Sequence, residues 1–279
     1  MNMNNIKMKK FIREKTIHCG NGYKEIDIVP RTDNQDRSVK NKRKRIKESE
    51  PKQKDLNEKN SKRYLIQLGN GNFTEKDLHV SLTYKNEYLP KTVEEAEREV
   101  TNYLRRIKNR MKKDGVGNLK YILVTEYNFD KNDEEKLVRI HHHLIINGGL
   151  DRDTVEDLWS KRRKKGEEKG EHLGWVNADR LQLNENGIEG LCKYITKGQK
   201  SKKCWSSSRN LIRPESTKND TKYSKRKIRD LALDPDKKEE FRKIYTDLNI
   251  TSVESVFYED TGWHVYIKGW EKYKKKRSE

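Results

Sequence analysis

Hydrophobic residues are scarce in this chain: they make up 31% of 279 residues, against 39% that are charged. That balance is too polar for one core that uses every residue, and it fits a folded unit carrying long basic segments. Cysteine is scarcer still. Cys19, Cys192 and Cys204 are the only three, and no two form a CxxC pair. An odd, widely spaced set excludes a disulfide framework and a cysteine-rich zinc site, and it points to a reducing cytoplasm. No 18-residue apolar run exists, which excludes a membrane-spanning helix. The opening Met1-Asn-Met-Asn-Asn-Ile-Lys-Met-Lys-Lys lacks the apolar stretch of a secretion signal. The run Gly-x-x-x-x-Gly-Lys-Ser/Thr is missing, so no Walker-type nucleotide-binding domain is expected.

Positive charge is what the chain has in excess. Lys and Arg number 64 against 45 Asp and Glu, a formal net charge of +19. A surplus of this size favours polyanions, of which nucleic acid is the commonest. The length allows one or two domains. Residues 1–54 read as a basic, flexible arm with one short strand at Tyr23–Val29, closed by Pro30, and a basic run Lys40-Asn-Lys-Arg-Lys-Arg-Ile-Lys47 that contains Arg43 and Arg45. Residues 55–215 read as the folded domain, entered by a helix over Asp55–Leu68 that Gly69-Asn70-Gly71 ends. Residues 216–279 read as a basic extension. In it Asp234-Pro235 opens a helix to Leu248, and Val253–Tyr258 and Trp263–Lys268 flank a hairpin turn. The stretch from about 199 to 230 is basic and poor in apolar residues.

Order is densest in the middle. His79–Tyr84 alternates like a strand. Thr92–Lys112 reads as a helix, with Thr92 as cap, Glu94 and Glu95 in the first turn and Asp114-Gly115 as the stop. Strands follow at Tyr121–Tyr127 and Val138–Asn147, then a helix over Asp153–Lys161 capped by Asp153. A strand at Trp175–Leu183 and a helix at Ile188–Lys197 complete the set. The order β-α-β-β-α-β-α predicts an α+β fold: a ferredoxin-like split βαβ antiparallel sheet followed by one more helix. In that topology the third strand lies between the first and second.

The third strand carries the most informative run, Arg-Ile-His-His-His-Leu-Ile-Ile-Asn over residues 139–147. Side chains alternate along a strand, so His141 and His143 face one way, about 7 Å apart, and His142 faces the other. Two imidazoles on one face can grip a divalent metal, and Glu126 at the end of the adjacent strand is a candidate third ligand. Imidazole with carboxylate suits Mg²⁺ or Mn²⁺, with histidine shifting the preference towards Mn²⁺. Downstream, Gly190-Leu-Cys-Lys-Tyr-Ile-Thr-Lys197 places Tyr194 and Lys197 three apart on a helix. A metal-polarised phosphate and a nearby ammonium would both favour attack by the tyrosine hydroxyl on a phosphodiester. Lys202, Lys203, Trp205 and Arg209 form a candidate nucleic-acid contact, with Trp205 stacking on single-stranded bases. Trp159 and Trp175 read as core or loop anchors.

These motifs carry a family resemblance. Arg-Ile-His-His-His-Leu-Ile followed by Tyr194-Ile-Thr-Lys197 resembles the HUH endonucleases, specifically the rolling-circle replication initiators of phages, plasmids and Gram-positive mobile elements. His79-Val-Ser-Leu-Thr-Tyr84 is similar to their first strand motif. Trp159, Gly187 and Ser208-Arg209-Asn210-Leu211 with Pro214 add to the likeness, which covers roughly residues 55–215. The resemblance implies a ferredoxin-like catalytic core and Mg²⁺ or Mn²⁺ bound by His141 and His143. It also implies attack by Tyr194 with Lys197 assisting, and a 5′-phosphotyrosyl intermediate at a nicked origin. The partners it implies are single-stranded or melted origin DNA and a host helicase and polymerase in the cytoplasm. Two features depart from the family pattern: His142 stands where a hydrophobe is usual, and no second tyrosine lies one turn from Tyr194. Relaxases and single-strand transposases share this chemistry, and a non-catalytic DNA-binding replication factor would share the charge.

Overall fold

The computed structural model describes residues 9–40, 51–129, 137–161, 165–166, 170–197 and 205–272. The chain divides into two compact units, one built from 1–71 with 212–279 and the other from 72–211.

The chain opens with a hairpin, β1 (Lys10–Gly20) and β2 (Tyr23–Thr32), followed by helices α1 (Asp33–Lys40) and α2 (Pro51–Asn72). Residues 10–40 are therefore not an arm. Pro30 does not end β2. The pairing of β2 with its far neighbour stops at Ile28, so at Pro30 the missing N–H is not called on from that side. Gly71 does not end α2 either. A Cβ there would lie 1.9 Å from the Cys19 carbonyl oxygen, so glycine lets the helix approach β1.

The middle unit runs β3 (Leu78–Leu82), α3 (Val93–Asp114), β4 (Tyr121–Phe129), β5 (Leu137–Ile146), α4 (Arg152–Asp157), β6 (Val176–Arg180), α5 (Glu189–Ile195) and the short β7 (Ser206–Ser207). Its sheet order is β6-β3-β5-β4-β7, with every pair antiparallel. This is the expected ferredoxin-like α+β arrangement, with the histidine strand β5 between β3 and β4. Local chemistry sets the helix ends. The Thr92 hydroxyl accepts the Glu95 N–H at 3.2 Å, and Gly115 closes α3 in the left-handed region at φ 69°. Asp151, not Asp153, caps α4, accepting the Thr154 N–H at 2.7 Å. One face of the sheet packs Leu78, Val80, Leu82, Leu123, Leu144 and Ala178 against Val100, Tyr103, Leu104 and Ile107 of α3. Trp159 belongs to this core. It is fully buried, and its indole N–H donates to the Thr83 carbonyl at 2.8 Å.

The chain returns through β8 (Glu215–Asn219), α6 (Lys225–Leu233), α7 (Lys237–Ile244) and the hairpin β9 (Leu248–Tyr258) and β10 (Gly262–Glu271). These strands join the opening hairpin in a second antiparallel sheet, β8-β1-β2-β10-β9. Helices α6 and α7 cover one face through Ile228 and Phe241 on Ile12, Ile26, Ile28, Val265 and Ile267. The alternate residues of β2 meet α2: Arg63 donates to Glu25 at 2.6 Å and to Asp27 at 2.6 Å, and Gln67 donates to Glu25 at 2.8 Å. The stretch 199–230, read as basic and apolar-poor, thus supplies strands and the Ser224-capped helix α6. No helix among the described residues is long and apolar enough to cross a membrane.

Candidate metal centre and nucleophile

Register fixes the site. Across the sheet Val124, His143 and Ser81 form one row, Thr125, His142 and Leu82 the next, and Glu126 with His141 the third. Rows alternate between faces, so His141, His143 and Glu126 share the face opposite α3. A β-bulge follows between Glu126 and Asn128, the kind of irregularity that re-aims a strand end beside a site.

Ligand atoms of Glu126, His141 and His143 lie within 4.8 Å of one another. His141 Nε2 is 3.2 Å from Glu126 Oε2. His143 Nδ1 is 3.3 Å from both Ser81 Oγ and His79 Nε2, and the two imidazoles stack with centroids 5.4 Å apart. Those partners occupy Nδ1 and leave Nε2 of His143 as the free donor. Burial, with the charges of His79 and His141 nearby, pushes His143 down to about 4. Burial also lowers His79. Neutral imidazoles are the form that binds a metal. Two nitrogens and one carboxylate oxygen within reach of a single point fit a divalent ion with coordination positions left open.

His142 explains its own presence. It is fully buried on the α3 side, where Tyr84 Oη lies 2.8 Å from its Nε2 and Thr125 Oγ1 lies 2.9 Å from its Nδ1. A hydrophobe's place is thus taken by an imidazole with both nitrogens satisfied. Burial pushes it down to about 3, so it stays neutral in the fold. Below pH 6.5 the unfolded chain takes up a proton that the folded chain refuses, and stability falls as pH drops towards 3. His142→Ala should cost about 3 kcal/mol, because it opens a cavity and strands two hydroxyls. His142→Leu should cost less and should weaken the acid limb. Urea midpoints at pH 7.5 and 5 check both. An unchanged midpoint with lost metal binding would instead make His142 a ligand.

Tyr194 sits on the same face as the cluster. Its ring centroid is 5.8 Å from that of His143, nearly perpendicular, and the side chain is 63% exposed. Helix α5 places it there by burying Cys192 and Ile195. The helix ends at Ile195, short of the expected Lys197. Lys197 lies in the turn beyond, its N–H donating to the Tyr194 carbonyl at 3.1 Å, with its side chain exposed. The neighbouring Lys193 is held by Glu189 at 2.7 Å.

The expected nucleic-acid contacts fare differently. Trp205 is half-buried in a groove with Glu97, Val100 and Thr101 of α3, on the opposite side of the sheet from the cluster. Arg209 is exposed beside the start of β4, where the Ser208 N–H donates to the Tyr121 carbonyl at 3.0 Å. That is roughly 17 Å along the strand from Glu126. Lys202, Lys203, Arg43 and Arg45 lie outside the described residues. Ser81, opposite His143 across the sheet, is a contact that the motif alone does not single out; the register of β3 against β5 is what exposes it.

The fold and site define an α+β protein with a histidine–carboxylate cluster and a tyrosine on one face of its sheet. Residues 77–199 match a family model of replication-associated proteins. The matched span contains the histidine strand, Glu126 and Tyr194, and it supports a replication-associated role of the initiator kind. Comparison with curated proteins and with solved structures returns no match.

Proposed function

We propose that the protein is a rolling-circle replication initiator of the HUH type, which nicks and rejoins single-stranded origin DNA through Tyr194. One observation carries the reading: Tyr194 stands over a Glu126–His141–His143 cluster, its ring 5.8 Å from His143. Glu126, His141 and His143 would hold Mg²⁺ or Mn²⁺, which supplies charge stabilisation at the scissile phosphate. Tyr194 Oη attacks phosphorus, the bond from phosphorus to the 3′ oxygen breaks, and the phenol proton is lost to solvent. The 3′ oxygen leaves as a hydroxyl after taking up a proton. The 5′ end stays on Tyr194 as a phosphotyrosyl ester. Because the ester conserves the phosphodiester energy, a 3′ hydroxyl rejoins the strand by the reverse attack without ATP. Lys197, in the turn after α5, assists by its positive charge near the developing phenolate. The partly exposed Glu126 and His141 and the exposed Tyr194 leave a single strand a way to the cluster, and the +19 net charge favours its approach. Host helicase and polymerase would act on the strand this step opens.

The test is a denaturing gel after incubation with a labelled single-stranded origin oligonucleotide and Mn²⁺. A protein–DNA adduct that survives denaturation is expected. Its absence, with DNA still bound, would favour the non-catalytic replication factor.

A further inference from the structure

Trp175 is the largest apolar side chain left open to solvent, 85% exposed, among the described residues. Its position makes this informative. The strand pairing Leu82↔Val176 continues one step outward, where the Thr83 N–H donates to the Trp175 carbonyl at 2.8 Å and the Thr83 hydroxyl to the same oxygen at 3.0 Å. One step beyond Leu82↔His142, Thr83 stands in the row of His141 and Glu126. Continued one residue past the ends of β3 and β6, the row of His141 and Glu126 would take in Thr83 and Trp175. Val176, the next residue, packs on the α3 core, and Trp175 faces away from it. Two strand spacings separate Trp175 from His141, roughly 10 Å. Asn177, also exposed, follows two residues on in the row of Ser81 and His143.

A tight backbone approach fixes the indole's base. A Cβ on Gly174 would lie 2.1 Å from the Thr83 carbonyl oxygen, so the chain meets β3 closely just before Trp175. The ring thus stands beside an anchored strand end rather than on a loose loop, and at 85% exposure it leaves most of its apolar area to solvent.

We propose that Trp175 is a stacking platform for a nucleobase of the single strand whose phosphate lies at the Glu126–His141–His143 cluster. This deepens the reading above and rests on it for the identity of the ligand. A flat aromatic ring suits any base, since each has a π-face, and it positions the strand without reading its sequence. β6 is the edge strand of the sheet, so the nucleic acid can run off the face past Trp175 without meeting another strand. The continuity of Trp175 with the cluster row and the cationic chain favour a nucleic acid over a second protein copy as its cover.

The experiment measures binding of the full chain to a fluorescein-labelled oligothymidine in EDTA, so that no cleavage step enters. Trp175→Ala should weaken binding by roughly 10-fold, within the range that one lost base stack produces. Trp175→Phe should recover most of it, and the Mn²⁺ affinity of both variants should match the wild type. Unchanged affinity in Trp175→Ala, or an equal loss in Trp175→Phe, would overturn the proposal. So would a shift of the wild type from dimer to monomer on Trp175→Ala with binding intact, which would make the indole a self-association contact. Because the readout is binding alone, it stands even if Tyr194 forms no adduct.

Discussion

Tyr194→Phe should bind origin DNA and metal as the wild type does and form no covalent product. In the proposed mechanism the hydroxyl is the attacking atom, and phenylalanine would keep the ring over His143. The side chain is 63% exposed, so removing its oxygen strands no buried partner and leaves stability nearly unchanged. The loss of adduct should be complete within detection, because no second tyrosine lies four residues before or after Tyr194 in the sequence: positions 190 and 198 are both Gly. Lys197→Ala should behave differently, slowing adduct formation by about 10- to 100-fold without abolishing it, since it removes one charge from beyond the end of the helix. Time courses on denaturing gels separate the two. An adduct on Tyr194→Phe at the wild-type rate would move the chemistry to another residue.

Metal removal is expected to have an equally large effect. Chelation should abolish nicking, and added Mn²⁺ should restore it. His143→Ala should be inactive at any practical Mn²⁺ concentration while retaining the fold, because its ring touches Tyr194 and His79 at the sheet face rather than filling the α3 core. Glu126→Gln keeps the shape and removes the charge of one ligand. It should weaken Mn²⁺ binding by about 10-fold or more, with activity recovering at high metal. Titration calorimetry with Mn²⁺ and circular dichroism check affinity and fold together. Full activity in EDTA would contradict the metal assignment.

The middle unit was legible because its chemistry is local. Thr92, Gly115 and the apolar spacing of α3 mark that helix from within the segment, and alternation around His141 and His143 marks β5. The register that joins Glu126 to His141 follows from the topology, and the ferredoxin-like order predicted the right neighbours. The outer unit was legible only in part: the strand at Tyr23–Val29, the helix over Asp55–Leu68 and the closing hairpin lie within β2, α2 and β9–β10, but β1 and the sheet itself were missed, for two physical reasons. Its strands bury charge: Arg13, Glu14 and Glu25 are all buried, satisfied by Asp36 and Asp220, by Lys222 and Tyr245, and by Arg63 and Gln67. Such residues erase the polar–apolar alternation by which a strand is read, so β1 looked like part of an arm. The sheet also closes by pairing β2 with β10, more than two hundred residues away, and no local pattern reports such a partner. Trp175 and Trp205 show the same limit at single-residue scale. Each stands just before a strand, and only the fold reveals that the former is exposed while the latter leans on α3.

The most direct measurement is the mass of the peptide that carries DNA. The wild-type adduct formed with Mn²⁺ and an origin oligonucleotide is digested with trypsin and nuclease, and the modified peptide is sequenced by tandem mass spectrometry. The account predicts a phosphonucleotide on Tyr194, joined through the 5′ phosphate of the cut strand, in a peptide ending at Lys197. A modification on any other residue, or attachment through a 3′ phosphate, would contradict it.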